Sequence, residues 1–149
     1  FATLDPTSRR LRFPREHEVI ITDTVGFIRD LPKDLVAAFR ATLEELEDAS
    51  LLLHVVDAAD PAREAQIAAV EHILEDLDLL ERPRLLVWNK TDQLAPGVVK
   101  VLIRQRGGVA VSALKRDGFE SLLRVAEDTL FSEGADADAA ALARVTAEV

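Results

Sequence analysis

Val19-Ile20-Ile21-Thr22-Asp23-Thr24-Val25-Gly26 is the stretch that decides the fold. A run of apolar and β-branched residues closes abruptly in an acid and then a glycine. Such a run reads as a buried parallel strand that carries Asp23 to its carboxyl end, where the carboxylate can reach a metal ion. Gly26 lacks a Cβ, so the backbone N–H there can come close to a phosphate oxygen. An Asp-x-x-Gly arises by chance about once in two chains of this length at average residue usage. Its weight therefore comes from what lies downstream.

Composition bounds the class. At 149 residues and 48% hydrophobic, the chain suits one cored domain and is short for two. No apolar run approaches the roughly 18 residues of a membrane span. The absence of cysteine removes disulfides, thiolate metal sites and thiol nucleophiles, and no basic, apolar leader opens the chain; a cytoplasmic location is expected. A net charge of -9 argues against a broad phosphate-neutralising face for nucleic acid. Arg9, Arg10, Arg12 and Arg15 form a basic cluster that reads as a solvated hairpin or loop.

In chain order, Leu11-Arg12-Phe13 reads as a short edge strand, Pro14 to His17 as its turn, and Glu18 to Thr22 as the next strand. Asp30 and Pro32 then give helix-start signals, and Leu35, Val36, Phe39, Leu43 and Leu46 recur at helical spacing. Leu51 to Val56 is apolar apart from His54 and ends in Asp57, as a strand buried on both faces does. His54 reads as a satisfied core histidine, because no second histidine stands at metal-ligand spacing. Asp60-Pro61 opens a helix that buries Ile67, Val70, Ile73, Leu74 and Leu77. Leu85-Leu86-Val87-Trp88 is a third buried run and breaks into Asn89-Lys90-Thr91-Asp92. A short helix after Pro96-Gly97 turns Val98, Val99, Leu102 and Ile103 inward and stops at Gly107-Gly108. Val109-Ala110-Val111 makes a fourth strand ending in Ser112-Ala113-Leu114, and Asp117-Gly118 introduces a helix burying Phe119, Leu122, Leu123, Val125, Ala126 and Leu130. This alternation implies an α/β fold with a mostly parallel sheet between helix layers, its ligands at the carboxyl ends of the strands. The domain reads as 1–131, and 132–149 as an acidic, alanine-rich tail, a frayed helix or linker.

Asn89-Lys90-x-Asp92 fits a purine that carries an exocyclic amine beside a ring N–H. Asp92 would accept both the guanine N1–H and its N2 amine, a charge-assisted pair that adenine cannot reproduce. Asn89 would reach the base and the neighbouring loop, and the Lys90 stem would lie across the ring face. The motif arises by chance in about 2% of chains this long, and the bland alternative is a polar turn after a strand. A tight turn at Ser112, Ala113 and Leu114 would aim backbone N–H groups at guanine O6.

Four stretches resemble the HflX-type translational GTPases, within the class of Ras-like P-loop GTPases: Phe1-Ala2-Thr3-Leu4-Asp5-Pro6-Thr7, Asp23 to Pro32, Leu35 to Glu45, and Leu53-His54-Val55-Val56-Asp57. The resemblance implies a Ras-like three-layer sandwich that hydrolyses GTP to GDP with Mg2+ and works on the ribosome through its large subunit. By resemblance, Thr3 is the switch threonine that binds Mg2+ and senses the γ-phosphate, with Thr7 as the alternative. Asp23 would hold Mg2+ through water, and the Gly26 N–H would contact the γ-phosphate. Asn89, Lys90 and Asp92 would read guanine, assisted by Ser112, Ala113 and Leu114. Phe27 stands where Ras-like enzymes often place a water-orienting glutamine, so no catalytic residue is assigned; the resemblance implies a slow enzyme accelerated by the ribosome.

No Gly-x-x-x-x-Gly-Lys-[Ser/Thr] occurs in these residues. In the family that phosphate loop and a central strand precede the position of Phe1, so the chain reads as the C-terminal part of a GTPase domain, inactive alone. The lacking strand belongs between those ending at Asp23 and Asp57. Its absence leads to an expectation of unpaired edges, with aggregation, a domain swap or a rearranged sheet as the consequence. An α/β interaction module without nucleotide, and an Era- or Obg-type GTPase in ribosome assembly, are the alternative readings.

Overall fold

Six strands form one sheet in the computed structural model, which describes residues 7–23, 46–131 and 143–148. β1 (Thr7–Arg12) and β2 (Glu18–Asp23) make an antiparallel hairpin. β3 (Leu51–Asp57), β4 (Arg84–Asn89) and β5 (Val109–Ala110) run parallel. They alternate with helices α1 (Arg63–Asp76), α2 (Pro96–Arg106) and α3 (Phe119–Phe131). The order across the sheet is β1-β2-β6-β3-β4-β5, where β6 is Ala143–Glu148.

β6 corrects the sequence reading. Residues 143–148 are neither frayed helix nor linker but a strand parallel to both β2 and β3, filling the gap left by the lacking strand; of the expected consequences it is the rearranged sheet. The physical reason is the backbone. β2 and β3 each carry a row of N–H and C=O groups toward that gap, and buried main-chain groups without partners are costly. Arg-Val-Thr within β6 has enough β-branched character to pair, although alternation with Arg144 and Glu148 hid it among the polar tail. The helix expected around Leu35 to Leu46 falls almost wholly outside the described residues.

The strands put alternate side chains on opposite faces. On one face Val19, Leu51, Leu53, Val87 and Val109 pack with Leu122, Ala126 and Leu130 of α3. On the other, Leu52 meets Val70 and Leu74 of α1, while Val56 and Trp88 meet Ile67 and Leu102. Trp88 is fully buried, and its indole N–H donates to the Gly107 carbonyl at 2.9 Å, which ties β4 to the end of α2. Val98 and Phe119, expected inward, are 42% and 40% exposed. They lie in the first turns of α2 and α3, at the sheet's rim. No helix among the described residues is long and apolar enough to cross a membrane.

The β1–β2 turn is latched to α3 through one buried carboxylate. Glu127, fully buried, accepts from His17 Nδ1 at 2.7 Å, from the Arg15 N–H at 3.1 Å and from Arg15 Nε at 3.2 Å. Arg15 also pairs with Asp128, and the His17 ring stacks on Phe131 at 4.1 Å. Burial alone would push the Glu127 carboxyl up, but the bonds from His17 and then Arg15 outweigh it and hold the group below its ordinary 4.5. Its stabilisation is therefore complete above pH 4.5 and lost as pH falls through the depressed value. Arg10 pairs with Glu18 and Arg12 with Glu16 at the exposed hairpin surface, so three arginines of the basic cluster already face carboxylates.

His54 is buried on the α1–α2 face, but it is not the satisfied core histidine of the sequence reading: its Nδ1 has no hydrogen-bond partner among the described residues. Burial, with the charge of Arg84 second, lowers its pKa from 6.5 to about 4. The unfolded ring takes a proton near pH 6.5 and the folded ring resists until about 4, so stability should fall across that window by about 3 kcal/mol at most. Urea midpoints followed from pH 7 down to the Glu127 range should decline more steeply in the natural chain than in His54→Leu; parallel slopes would show an ordinary ring. For the sheet centre, Val145→Pro removes one ladder donor from β6 and should cost about 3 kcal/mol or more. A thermal midpoint left in place by that change would mean that β6 does not hold β2 to β3.

Candidate functional site

Parallel pairing gathers the carboxyl ends of β2, β3, β4 and β5 along one edge of the sheet. Asp23 ends β2, Asp57 ends β3, Asn89 ends β4, and Ser112 follows β5. Asp57 and Asn89 are register partners on adjacent strands. Asp23 is level with Ala147 and through it with Leu53. It thus lies two strands over from β3 and about 13 Å back along the strand direction from Asp57. The edge has two separate stations, one at Asn89 to Asp92 and one at Asp23.

The first station is built by two loops that brace each other. Lys90 adopts the left-handed conformation, φ 63° and ψ 30°, which turns the chain out of β4 into a single 3-10 turn at Thr91–Gln93. Asn89 Oδ1 accepts from the Lys90 N–H at 2.8 Å and, across the gap, from the Ala113 N–H at 3.0 Å. Ser112, 2% exposed, donates from its hydroxyl to Asp92 Oδ1 at 2.6 Å and accepts the Lys115 N–H at 3.1 Å. Thr91 donates both its hydroxyl, at 2.8 Å, and its N–H, at 3.3 Å, to the Val111 carbonyl. Ser112 and Asp117 exchange backbone bonds to close the second loop. Gly118 seals it: at φ +80° a Cβ there would run into the Ala110 carbonyl. Asn89, Asp92, Ser112 and Ala113 therefore come together as one polar cluster, with Leu114 exposed at its tip.

Lys90 Nζ donates to Asp57 Oδ2 at 2.6 Å, and this hydrogen bond to the carboxylate raises the lysine pKa above its ordinary value. Asp57 Oδ1 accepts the Ala59 N–H at 3.0 Å, so the acid is held in place while it holds the lysine. The sequence reading gives no site role to Asp57 or Thr91. Asp57 had a signal, an acid ending a buried run as Asp23 does. Thr91 had none, since a threonine in a polar turn is ordinary. Thr3, Gly26 and Phe27 lie outside the described residues; Thr7 is a backbone register partner of Asp23.

Chemically, Asp92 offers an exposed carboxylate with one oxygen fixed by Ser112. A carboxylate has about four acceptor positions, so it retains capacity for two further donors arranged side by side. The Lys90 cation, two residues back in the chain, is held at Asp57. Such an edge suits a flat heterocycle carrying adjacent N–H groups.

Residues 1–90 match the family described as "50S ribosome-binding GTPase". GTPase HflX of Caldanaerobacter subterraneus subsp. tengcongensis is 48% identical over 133 residues, covering 89% of this chain and 30% of that protein. GTPase HflX of Escherichia coli strain K12 is 57% identical over 94 residues, covering 63% of this chain and 22% of that protein. GTPase HflX of Magnetococcus marinus is 44% identical over 124 residues, covering 83% and 29%. This chain thus spans about a third or less of these relatives' lengths. The crystal structure of SsGBP mutation variant G235S is similar with a TM-score of 0.69 at 25% identity, over 78% of this chain and 44% of that one.

Because Asn89 Oδ1 accepts from both loops, Asn89→Ala should release the Lys90 and Ala113 amides together. Hydrogen exchange at those positions should accelerate about tenfold or more, with a stability loss of about 1–3 kcal/mol. Exchange that changes at Lys90 alone would show that the loops are not coupled through this side chain.

Proposed function

The chain belongs to the 50S ribosome-binding GTPase family and is of the HflX type, and from that premise we propose that its sheet edge carries the guanine-reading part of a GTP-hydrolysing switch acting at the large ribosomal subunit. The observation that carries this reading is the Asp92 carboxylate, braced by the buried Ser112 hydroxyl inside a loop pair that Asn89 ties together. Asp92 accepts the guanine N1–H and N2 amine in parallel. The Ala113 N–H is engaged by Asn89, so the Leu114 N–H at the exposed tip is the donor that meets O6. Lys90 leaves or shares Asp57 to lay its stem along the base, and Asp57 stores the lysine when no base is present.

The second station takes the phosphates. Among the described residues no group of three or more histidines and acids gathers to hold a metal by itself. Mg2+ needs only one or two protein carboxylates when phosphate oxygens supply the other ligands, and Asp23, exposed at the end of β2, fits that lesser role. Mg2+ would there neutralise charge on the phosphates. Thr3, or Thr7, and the Gly26 N–H complete this end by family resemblance, with Phe27 beside them. Hydrolysis of GTP to GDP would reset the segments around Thr3 and residues 23–32 and change affinity for the ribosome. A cytoplasmic setting follows from that partner.

The test is base selectivity in the full-length protein. Asp92→Asn turns one acceptor oxygen into a donor, which mismatches the guanine amine and matches the second carbonyl of xanthine. Affinity for GDP should fall at least about a hundredfold, and affinity for XDP should rise. Calorimetric titration with GDP, XDP and ADP reads this directly. Unchanged GDP affinity, or no GDP binding by the natural protein, would remove the guanine site.

A further inference from the structure

At the other end of β4, away from the nucleotide edge, the sheet and helices leave a cavity of about 190 Å³ lined by His54, Ile67, Glu71, Arg84, Leu86 and Arg106 among others. Register explains the setting. His54 of β3 pairs with Leu86 of β4, and Arg84 stands two residues back on the same face, so ring and guanidinium are diagonal neighbours. α1 supplies Ile67 and Glu71, and the end of α2 supplies Arg106. Gly108 completes the wall; a Cβ there would run into the Leu86 carbonyl. The strand from Arg84 to Asn89 separates this cavity from the proposed guanine site by about 16 Å.

Two polar atoms in its lining are buried and without partners among the described residues: His54 Nδ1 and Arg84 Nη1. The His54 residue as a whole is 4% exposed. The rest of the cluster is already engaged. Arg84 Nη2 donates to Glu71 Oε1 at 3.1 Å, and Arg106 Nη2 donates to Glu64 Oε2 at 2.7 Å. Glu148 of β6 is the register partner of His54. A buried guanidinium N–H without an acceptor is costly, and an unpaired buried group in a roomy polar cavity points to an occupant. An occupant that accepts hydrogen bonds would meet the unpartnered guanidinium N–H.

We propose that this cavity binds a small oxyanion, a phosphate or a carboxylate, between His54 Nδ1 and Arg84 Nη1, with Arg106 at the opening. The wall then gains its missing acceptor, and the ligand gains charge-assisted bonds of the kind arginine forms with planar or tetrahedral oxyanions. The charges of Arg84 and Glu71, and of Arg106 and Glu64, cancel within the wall. The anion's own charge is therefore met by protonation of the His54 ring, which takes up a proton as the anion enters. Binding strengthens as pH falls below 7. The inference does not depend on the guanine reading, since it uses none of the residues of that edge.

The experiment follows the imidazole signals of the three histidines in the full chain by nitrogen-15 NMR, titrated with inorganic phosphate and, in a parallel arm, with acetate, at ionic strength held constant with sodium chloride. The His54 signals should shift to saturation in at least one arm while those of His17 and His72 stay, and the ring pKa should rise from about 4. The arm that saturates identifies the anion as phosphate or carboxylate. Arg84→Gln should weaken binding by about tenfold or more. Glu71→Gln, which removes a competing acceptor for Arg84, should retain or tighten it, and serves if the first variant fails to fold. A His54 ring unmoved in both arms, one that chloride moves equally, or weakened binding in Glu71→Gln would overturn the proposal and leave the cavity to water.

Discussion

Main-chain hydrogen bonding at the centre of the sheet is the constraint on which the rest of this molecule depends. β3 is an apolar run covered on both faces, and β2 buries Val19 and Thr22, so neither can leave a row of amide and carbonyl groups against a packed interior. β6 meets both, in parallel, and one six-residue strand thereby joins the hairpin to the β3–β4–β5 half. Because all these pairings are parallel, the strands deliver their carboxyl ends to one side. The offset between Asp23 and Asp57 is set by register with β6 rather than by any contact between the two acids.

The candidate site is rigid for a different reason. Its loops are short, and Asn89, Thr91, Asp92 and Ser112 each make a structural bond in them. Asn89 closes one loop on the other, Ser112 fixes Asp92, and Thr91 anchors to the strand end at Val111. Such a network holds a carboxylate in orientation without burying it, and discrimination between bases requires that combination. Only Lys90 is held by a partner it can release. Its ion pair with Asp57 is half-exposed and worth little in stability.

At the opposite side of the fold, the Glu127 latch does for the hairpin what β6 does for the sheet. One buried carboxylate with three nitrogen donors fixes the β1–β2 turn on α3, and the His17–Phe131 stack covers it. Beside it, Arg10 and Arg12 of the same hairpin are each set against an acid, as Arg15 is. Glu127 is 110 residues from His17 and 112 from Arg15, and it reads in sequence as an outward position of an amphipathic helix.

The local code was sufficient for much of this. Apolar runs ending in Asp23, Asp57 and Asn89, with helical periodicity between them, determined the strand and helix types and placed the Asn89-Lys90-x-Asp92 motif at a strand end, because burial on two faces requires continuous apolar residues and a parallel sheet aligns their ends. Residue type and spacing likewise marked Ser112 to Leu114 as a companion loop. Three things were decided only in three dimensions. A polar tail segment became the central strand, because unpaired backbone edges bind an available partner almost regardless of its side chains. Asp57 and Glu127 became the partners of Lys90 and His17 across gaps of 33 and 110 residues. His54 came to lie beside Arg84 in the wall of a cavity, with its Nδ1 unpartnered among the described residues. Pairings of this kind depend on which surfaces the chain brings together, and no local pattern of residues carries that information.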